Sequence, residues 1–217
     1  RDLSVVFGGL KAVNGLSFDV QPGRIHALIG PNGAGKSTTF NCISRFYTPT
    51  AGSVLYRGQE LTRVAPFRMA GMGIARTFQN LALFAELSVL ENVLLGTHAR
   101  GAGTLGRLLR RPAREHLELA EHLLERVGLA DERHQPARDL DFGHQKLLEL
   151  ARALAIRPTL LLLDEPAAGL RNREIESLDR LLKELATRDG ITVLLVEHVM
   201  QLVMSISDRI TVMAFGE

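Results

Sequence analysis

The chain has 217 residues, 26 Lys and Arg against 24 Asp and Glu, and a formal net charge of +2. That is long enough for one domain with a full core, and too evenly charged to demand a polyanionic partner; no basic stripe interleaved with aromatics supports nucleic acid as a ligand. Cys42 is the single cysteine, which rules out an internal disulfide and fits a reducing compartment. No signal peptide and no apolar run long enough to span a bilayer is present. The first residue is Arg1 and the last three, Phe215-Gly216-Glu217, directly follow a strand-like run, so further sequence is expected beyond both ends.

Residues 3–7 and 13–20 read as strands joined by Gly8-Gly9, and 52–57 as a third strand ending at Gly58. Their short connections predict antiparallel pairing. The apolar runs Ile25–Ile29, Thr159–Leu163 and Thr192–Val196 lie far apart with helical stretches between them, which predicts a parallel sheet in an α/β nucleotide-binding core. Residues 88–156 are mostly helical: Glu115–Val127 is stopped by Gly128, and Gln145–Ile156 closes before Pro158. Gly101–Pro112, rich in Gly and Arg, is expected to loop out. Asn172–Arg188 is amphipathic, with Glu176 and Arg180 spaced for an i,i+4 pair.

Two motifs carry chemistry. Gly30-Pro31-Asn32-Gly33-Ala34-Gly35-Lys36-Ser37-Thr38 follows a strand and opens a helix, matching G-x-x-x-x-G-K-[ST]. Such a loop turns its backbone N–H groups around anionic phosphates, aided by the helix N-terminus. Asn32, Gly33, Gly35, Lys36, Ser37 and Thr38 are therefore the expected nucleotide contacts, with Lys36 bridging the β- and γ-phosphates and Ser37 offering its hydroxyl to Mg²⁺. The second motif is the run Leu160–Leu163 followed by Asp164-Glu165, two carboxylates at the C-terminal end of a strand, where α/β sheets place ligands. Asp164 is the expected Mg²⁺ ligand, directly or through water. Glu165 is placed to orient or deprotonate an attacking water.

The order of phosphate loop, Gln79, a stretch at Leu140–Gln145, Asp164-Glu165 and His198 resembles the ATP-binding cassette transporter ATPases over essentially the whole chain. Phe7-Gly8-Gly9-Leu10-Lys11-Ala12-Val13, Arg76-Thr77-Phe78-Gln79, Asp164-Glu165-Pro166-Ala167-Ala168-Gly169-Leu170 and Glu197-His198 are similar to the branched-chain amino acid importer subunits within that family; urea importer ATPases share much of the pattern. The resemblance implies a P-loop NTPase core with an N-terminal antiparallel β subdomain and an inserted helical subdomain, divided as 1–87 plus 151–217 and 88–150. It implies that Phe7 stacks on adenine beside Val13, that Gln79 approaches Mg²⁺ and the attacking water, and that His198 contacts the γ-phosphate. It also implies a head-to-tail dimer in which the signature stretch (Asp141, Gly143, His144) meets ATP held by a second cassette. Membrane permease subunits would dock in the groove after Gln79, near Leu83, Phe84 and Leu87. An extracytoplasmic solute-binding protein would act indirectly, and the chain would sit on the cytoplasmic face of the inner membrane.

The chain departs from the family at the signature. Where the family has Leu-Ser-Gly-Gly-Gln, this sequence reads Leu140-Asp141-Phe142-Gly143-His144-Gln145. A carboxylate at Asp141 would repel a γ-phosphate, yet it suits the N-cap of a helix starting near Phe142. Arg171 falls where the family has Asp or, in this branch, Asn; a guanidinium there either clashes with its symmetry mate or reaches a phosphate. Asn172 replaces a usual Pro, and Val199 an acidic residue. Two readings follow: an import ATPase, or a cassette that binds ATP, hydrolyses it weakly and serves as half of a heterodimer. A soluble cassette ATPase of translation or DNA repair is disfavoured by the lack of a second cassette or a coiled-coil insertion in these residues.

Overall fold

The computed structural model describes residues 1–78, 81–98 and 114–217. Its centre is a five-stranded parallel sheet in the order β6-β7-β8-β3-β9, formed by β3 (Ile25–Ile29), β6 (Ile74–Arg76), β7 (Leu160–Asp164), β8 (Thr192–Val196) and β9 (Arg209–Val212). The central strands are mostly apolar because both of their faces are buried, the exceptions being His26 within β3 and Thr192 and Asp164 at strand ends. Leu161 and Leu163 of β7, with Val193 and Leu195 of β8, enter one core; Leu160 and Leu162, with Leu194 and Val196, enter the other. The period-2 alternation of a strand thus sends successive leucines into opposite layers.

The first core is closed by the helices α2 (Val89–His98), α3 (Arg114–Val127), α4 (Phe142–Ala155), α5 (Asn172–Thr187) and α6 (Met200–Ile206). The second lies under α1 (Lys36–Ile43) and the antiparallel pair β1 (Leu3–Phe7) and β2 (Leu10–Leu16). β4 (Leu55–Tyr56) and β5 (Gln59–Glu60) form a small hairpin, and Ser4 bridges to Ala51.

The parallel strands at Ile25–Ile29 and Thr192–Val196 have the bounds expected from sequence, and the third is shifted by one residue to Leu160–Asp164. Three expectations are corrected. The second strand spans Leu10–Leu16 rather than 13–20, because its pairing with β1 starts directly after the Gly8-Gly9 turn. The strand expected at 52–57 shrinks to Leu55–Tyr56, since Gly58 turns the chain back onto Gln59–Glu60. Arg180 donates to Ser177 Oγ instead of pairing with Glu176, and the i,i+4 ion pairs of α5 are Lys183–Asp179 and Arg188–Glu184. The loop expected at Gly101–Pro112 lies outside the described residues, as does Gln79.

Candidate active site

The C-terminal ends of β3, β6, β7 and β8 deliver the expected residues to one edge of the sheet. After β3 the chain turns through Gly30, Gly33 and Gly35, all at positive φ. Glycine is required at two of them. A Cβ on Gly30 would lie 2.2 Å from the Met213 carbonyl oxygen, and one on Gly35 would lie 2.4 Å from that of Ala12. The loop is therefore wedged between β2 and the segment after β9. That wedge also brings Val13 against Gly35, where a Cβ would meet the Val13 side chain at 3.2 Å.

Gly35 is the N-cap of α1 and offers no side-chain cap, so the first amides of the helix keep their N–H groups free of intrahelical acceptors. Lys36 is the first helical residue; its Nζ bends back to donate to the carbonyls of Gly30 at 2.6 Å and Pro31 at 2.9 Å. Burial pushes the Lys36 ammonium below its usual range, while Glu165 and then Asp164 pull it back up. The lysine thus lies within the field of both carboxylates. A glycine cradle of free amides, a caged ammonium, the Ser37 hydroxyl and a buried carboxylate fit a nucleotide triphosphate with Mg²⁺.

Asp164 ends β7 and is buried. Its amide donates to Thr77 Oγ1 at 3.1 Å, and its Oδ2 accepts from Arg76 at 3.2 Å. Burial raises its pKa, opposed chiefly by Arg76. Glu165 follows in the left-handed region at φ 50, where an L residue other than glycine is strained. Its amide donates to the Val196 carbonyl, and its Oε1 lies 3.0 Å from His198 Nε2. Glu197, buried between the two loops, accepts from the amides of Ala167, His198 and Val199. It thereby ties the loop after β7 to the loop after β8 and fixes the approach of His198 to Glu165.

Phe7, at the end of β1, is half exposed and meets Tyr47 edge-on at 5.4 Å. Asp141 is the N-cap of α4, as its helix-capping character predicts: Oδ1 accepts from the His144 amide at 2.9 Å, which is the main reason its carboxyl is held below the usual range. His144 sits between two carboxylates, 3.5 Å from Asp141 and 3.7 Å from Glu174. Arg171 lies 3.9 Å from Asp141, so two of the unusual residues face each other. Gly143 packs on the loop after Glu165: a Cβ there would stand 3.0 Å from the Gly169 carbonyl, and one on Gly169 would run into the Phe142 ring at 2.4 Å. Phe84 is exposed, and its backbone is held on both sides by the buried amide of Asn92. Leu83 and Leu87 are partly buried beside it.

Sequence reasoning assigned no role to Arg76, Thr77, Glu149 or Glu197. The available signal was a set of charged or polar residues inside otherwise apolar segments. Glu149 is buried in α4 and accepts from the Phe78 amide at 3.0 Å, and its pKa is raised by burial against the pull of that amide, Lys146 and Arg152.

The ABC transporter family profile matches residues 13–168. The high-affinity branched-chain amino acid transport ATP-binding protein LivG of Escherichia coli (strain K12) is 45% identical over 220 residues, covering 99% of this chain and 86% of LivG. Among solved structures, the dimeric form of the bacterial ABC transporter cassette MJ0796 superposes with a TM-score of 0.90 at 26% identity, covering 100% of this chain and 94% of that one. Its post-hydrolysis state bound to ADP and Pi gives 0.87 at 27%, with the same coverages.

Proposed function

The chain belongs to the ABC transporter family of ATP-hydrolysing cassettes, and from that membership we propose that it powers import of branched-chain amino acids or a similar small polar solute through membrane permease subunits. The solute class rests on the likeness to LivG. The observation that carries the catalytic half is the strained Glu165 held 3.0 Å from His198, beside an ammonium that feels both Glu165 and Asp164.

In this reading Lys36 releases the Gly30 and Pro31 carbonyls and takes the β- and γ-phosphate oxygens. The amides of Gly33, Gly35 and the first turn of α1 complete the cradle. Phe7 and Val13 hold the base. Ser37, Asp164 and Gln79 are the residues that would hold Mg²⁺, which when bound neutralises charge on the phosphates. Water attacks the γ-phosphorus in line as the bond to the β,γ-bridging oxygen breaks, ADP leaves with that oxygen and inorganic phosphate is released, and Glu165 accepts the water's proton or fixes its orientation. His198 fixes the Glu165 carboxylate and faces the γ-phosphate. Asp141, Gly143 and His144 meet the nucleotide of a second cassette, so ATP binding closes the dimer and product release opens it. The division into a core (1–87, 151–217) and a helical signature subdomain (88–150) is part of this proposal. So are docking of the permease beside Phe84 and peripheral attachment to the cytoplasmic face of the membrane. Among the described residues no helix is long and apolar enough to cross a membrane itself.

A second reading, an ATP-binding and weakly hydrolysing half of a heterodimer, is favoured by the carboxylate of Asp141 at the signature. Reconstitution in vesicles with permease subunits and a solute-binding protein decides between them. The first reading predicts ATP-dependent leucine uptake with this chain as sole cassette. Uptake that requires a different second cassette supports the alternative, and uptake indifferent to ATP refutes both.

A further inference from the structure

β6 is only three residues long and ends in a cation placed against the interior. The Arg76 side chain is 9% exposed. Its guanidinium lies 5.8, 5.6 and 5.1 Å from the ring centroids of Phe40, Phe46 and Phe78. Nη1 donates to Asn41 Oδ1 at 2.7 Å and to Ser44 Oγ, the first within α1 and the second at its C-cap. Nη2 donates to Asp164 Oδ2 at 3.2 Å. Nε is buried and has no hydrogen-bond partner among the described residues.

An arginine so enclosed is a poor device for stability alone. Desolvating an ion pair costs about what the pairing returns, and apolar replacements of such pairs are often neutral or better. What an apolar residue cannot do is fork. The planar guanidinium reaches α1 with one nitrogen and β7 with the other, while the three rings fix its plane. α1 carries Lys36 and Ser37 at its opposite end, and β7 delivers Asp164. The same strand end supplies a second tether through Thr77 Oγ1 to the Asp164 amide.

We infer that Arg76 is a positioning residue for the metal: it sets Asp164 against α1 and, by occupying Oδ2, leaves Oδ1 as the oxygen that Asp164 presents to Mg²⁺. The inference rests on the proposed assignment of Asp164 as the Mg²⁺ residue. Partners that orient a metal-binding carboxylate are worth roughly 10- to 100-fold in metal affinity. A lysine keeps the charge but cannot span both elements, so it should recover only part of the effect.

The test is ATP binding by the purified full chain, read by calorimetry in EDTA and across a Mg²⁺ titration, for wild type, Arg76→Met, Arg76→Lys and Asn41→Ala, with melting curves alongside. The inference predicts that affinity in EDTA is kept in all variants. The Mg²⁺ midpoint should rise at least about tenfold in Arg76→Met, less in Arg76→Lys, and detectably in Asn41→Ala, which removes one of the two α1-side acceptors of Arg76 and leaves Arg76 and Ser44 in place. If Arg76→Met does not fold, the other two variants carry the same prediction. An unmoved Mg²⁺ midpoint in folded variants overturns the inference, as does a parallel loss of affinity with and without Mg²⁺, which marks a merely structural role. Wild type that binds ATP equally with and without Mg²⁺ overturns the functional reading beneath it.

Discussion

Asp141→Ala removes a helix cap and the approach to Arg171, together with the 3.5 Å approach of the His144 ring. The first is the cap on the His144 amide at 2.9 Å; replacing an Asp N-cap by Ala costs about 0.5–2 kcal/mol. The second is the approach to Arg171 at 3.9 Å, where the side chains are 51% and 80% exposed; an exposed pair of this kind adds about 0–1 kcal/mol. The sum is roughly 0.5–3 kcal/mol, which for a domain of this size lowers Tm by roughly 1–12 °C. Asp141→Ser keeps a capping oxygen and should lose only the carboxylate's approaches to Arg171 and the His144 ring. The expected order of melting is wild type, then Ser close below it, then Ala. Because the folded carboxyl titrates below its ordinary value, its contribution is fully present above the unfolded pKa of about 3.9 and fades as pH falls through the lower folded value. The Ala deficit, followed by circular dichroism melts, should therefore be the same at about pH 7 and about pH 5. Asp141→Ala melting with wild type, or Ser falling as far as Ala, would refute the capping argument. The same Ser variant should turn over ATP faster, since the signature carboxylate no longer repels phosphate, and the gain should be larger in an Arg171→Asn background, where the guanidinium no longer offsets that carboxylate.

Other outcomes follow from single contacts. Gly30→Ala drives a Cβ into the Met213 carbonyl at a positive φ and should destabilise the fold by more than about 1 kcal/mol in a denaturant melt. Lys36→Met should weaken ATP binding by about 2 kcal/mol, roughly 30-fold by titration, because it removes a charge-assisted contact to phosphate. Glu149 has a raised folded pKa, so the folded state holds its proton longer than the unfolded state. Wild type should lose stability relative to Glu149→Gln as pH rises from 4.5 through that raised value, and a flat difference across the range contradicts the burial argument.

Local chemistry was legible in the sequence wherever it depended on neighbours in the chain. The phosphate loop, the carboxylates ending β7, the central strands and the cap at Asp141 all follow from short-range pattern. β6 was invisible because three residues ending in Arg76 show no periodicity, and its pairing with β7 is a contact between distant segments. The meeting of Asp141 with Arg171, the threefold amide grip of Glu197 and the clasp of Arg76 on α1 and Asp164 also depend on tertiary closure. The left-handed backbone of Glu165 accompanies the hydrogen bond its N–H donates to the Val196 carbonyl on the neighbouring strand, a tertiary contact that no local propensity of Glu announces.

The central claim is that Glu165 hydrolyses ATP at a site completed by a second cassette. Its most direct test is Mg²⁺-dependent ATP turnover of the purified chain over a range of protein concentrations, with Glu165→Gln as the blank. The account predicts a rate that rises faster than linearly with concentration and disappears in the mutant. ATP that is bound but turned over no faster than in Glu165→Gln, at every concentration, would contradict it.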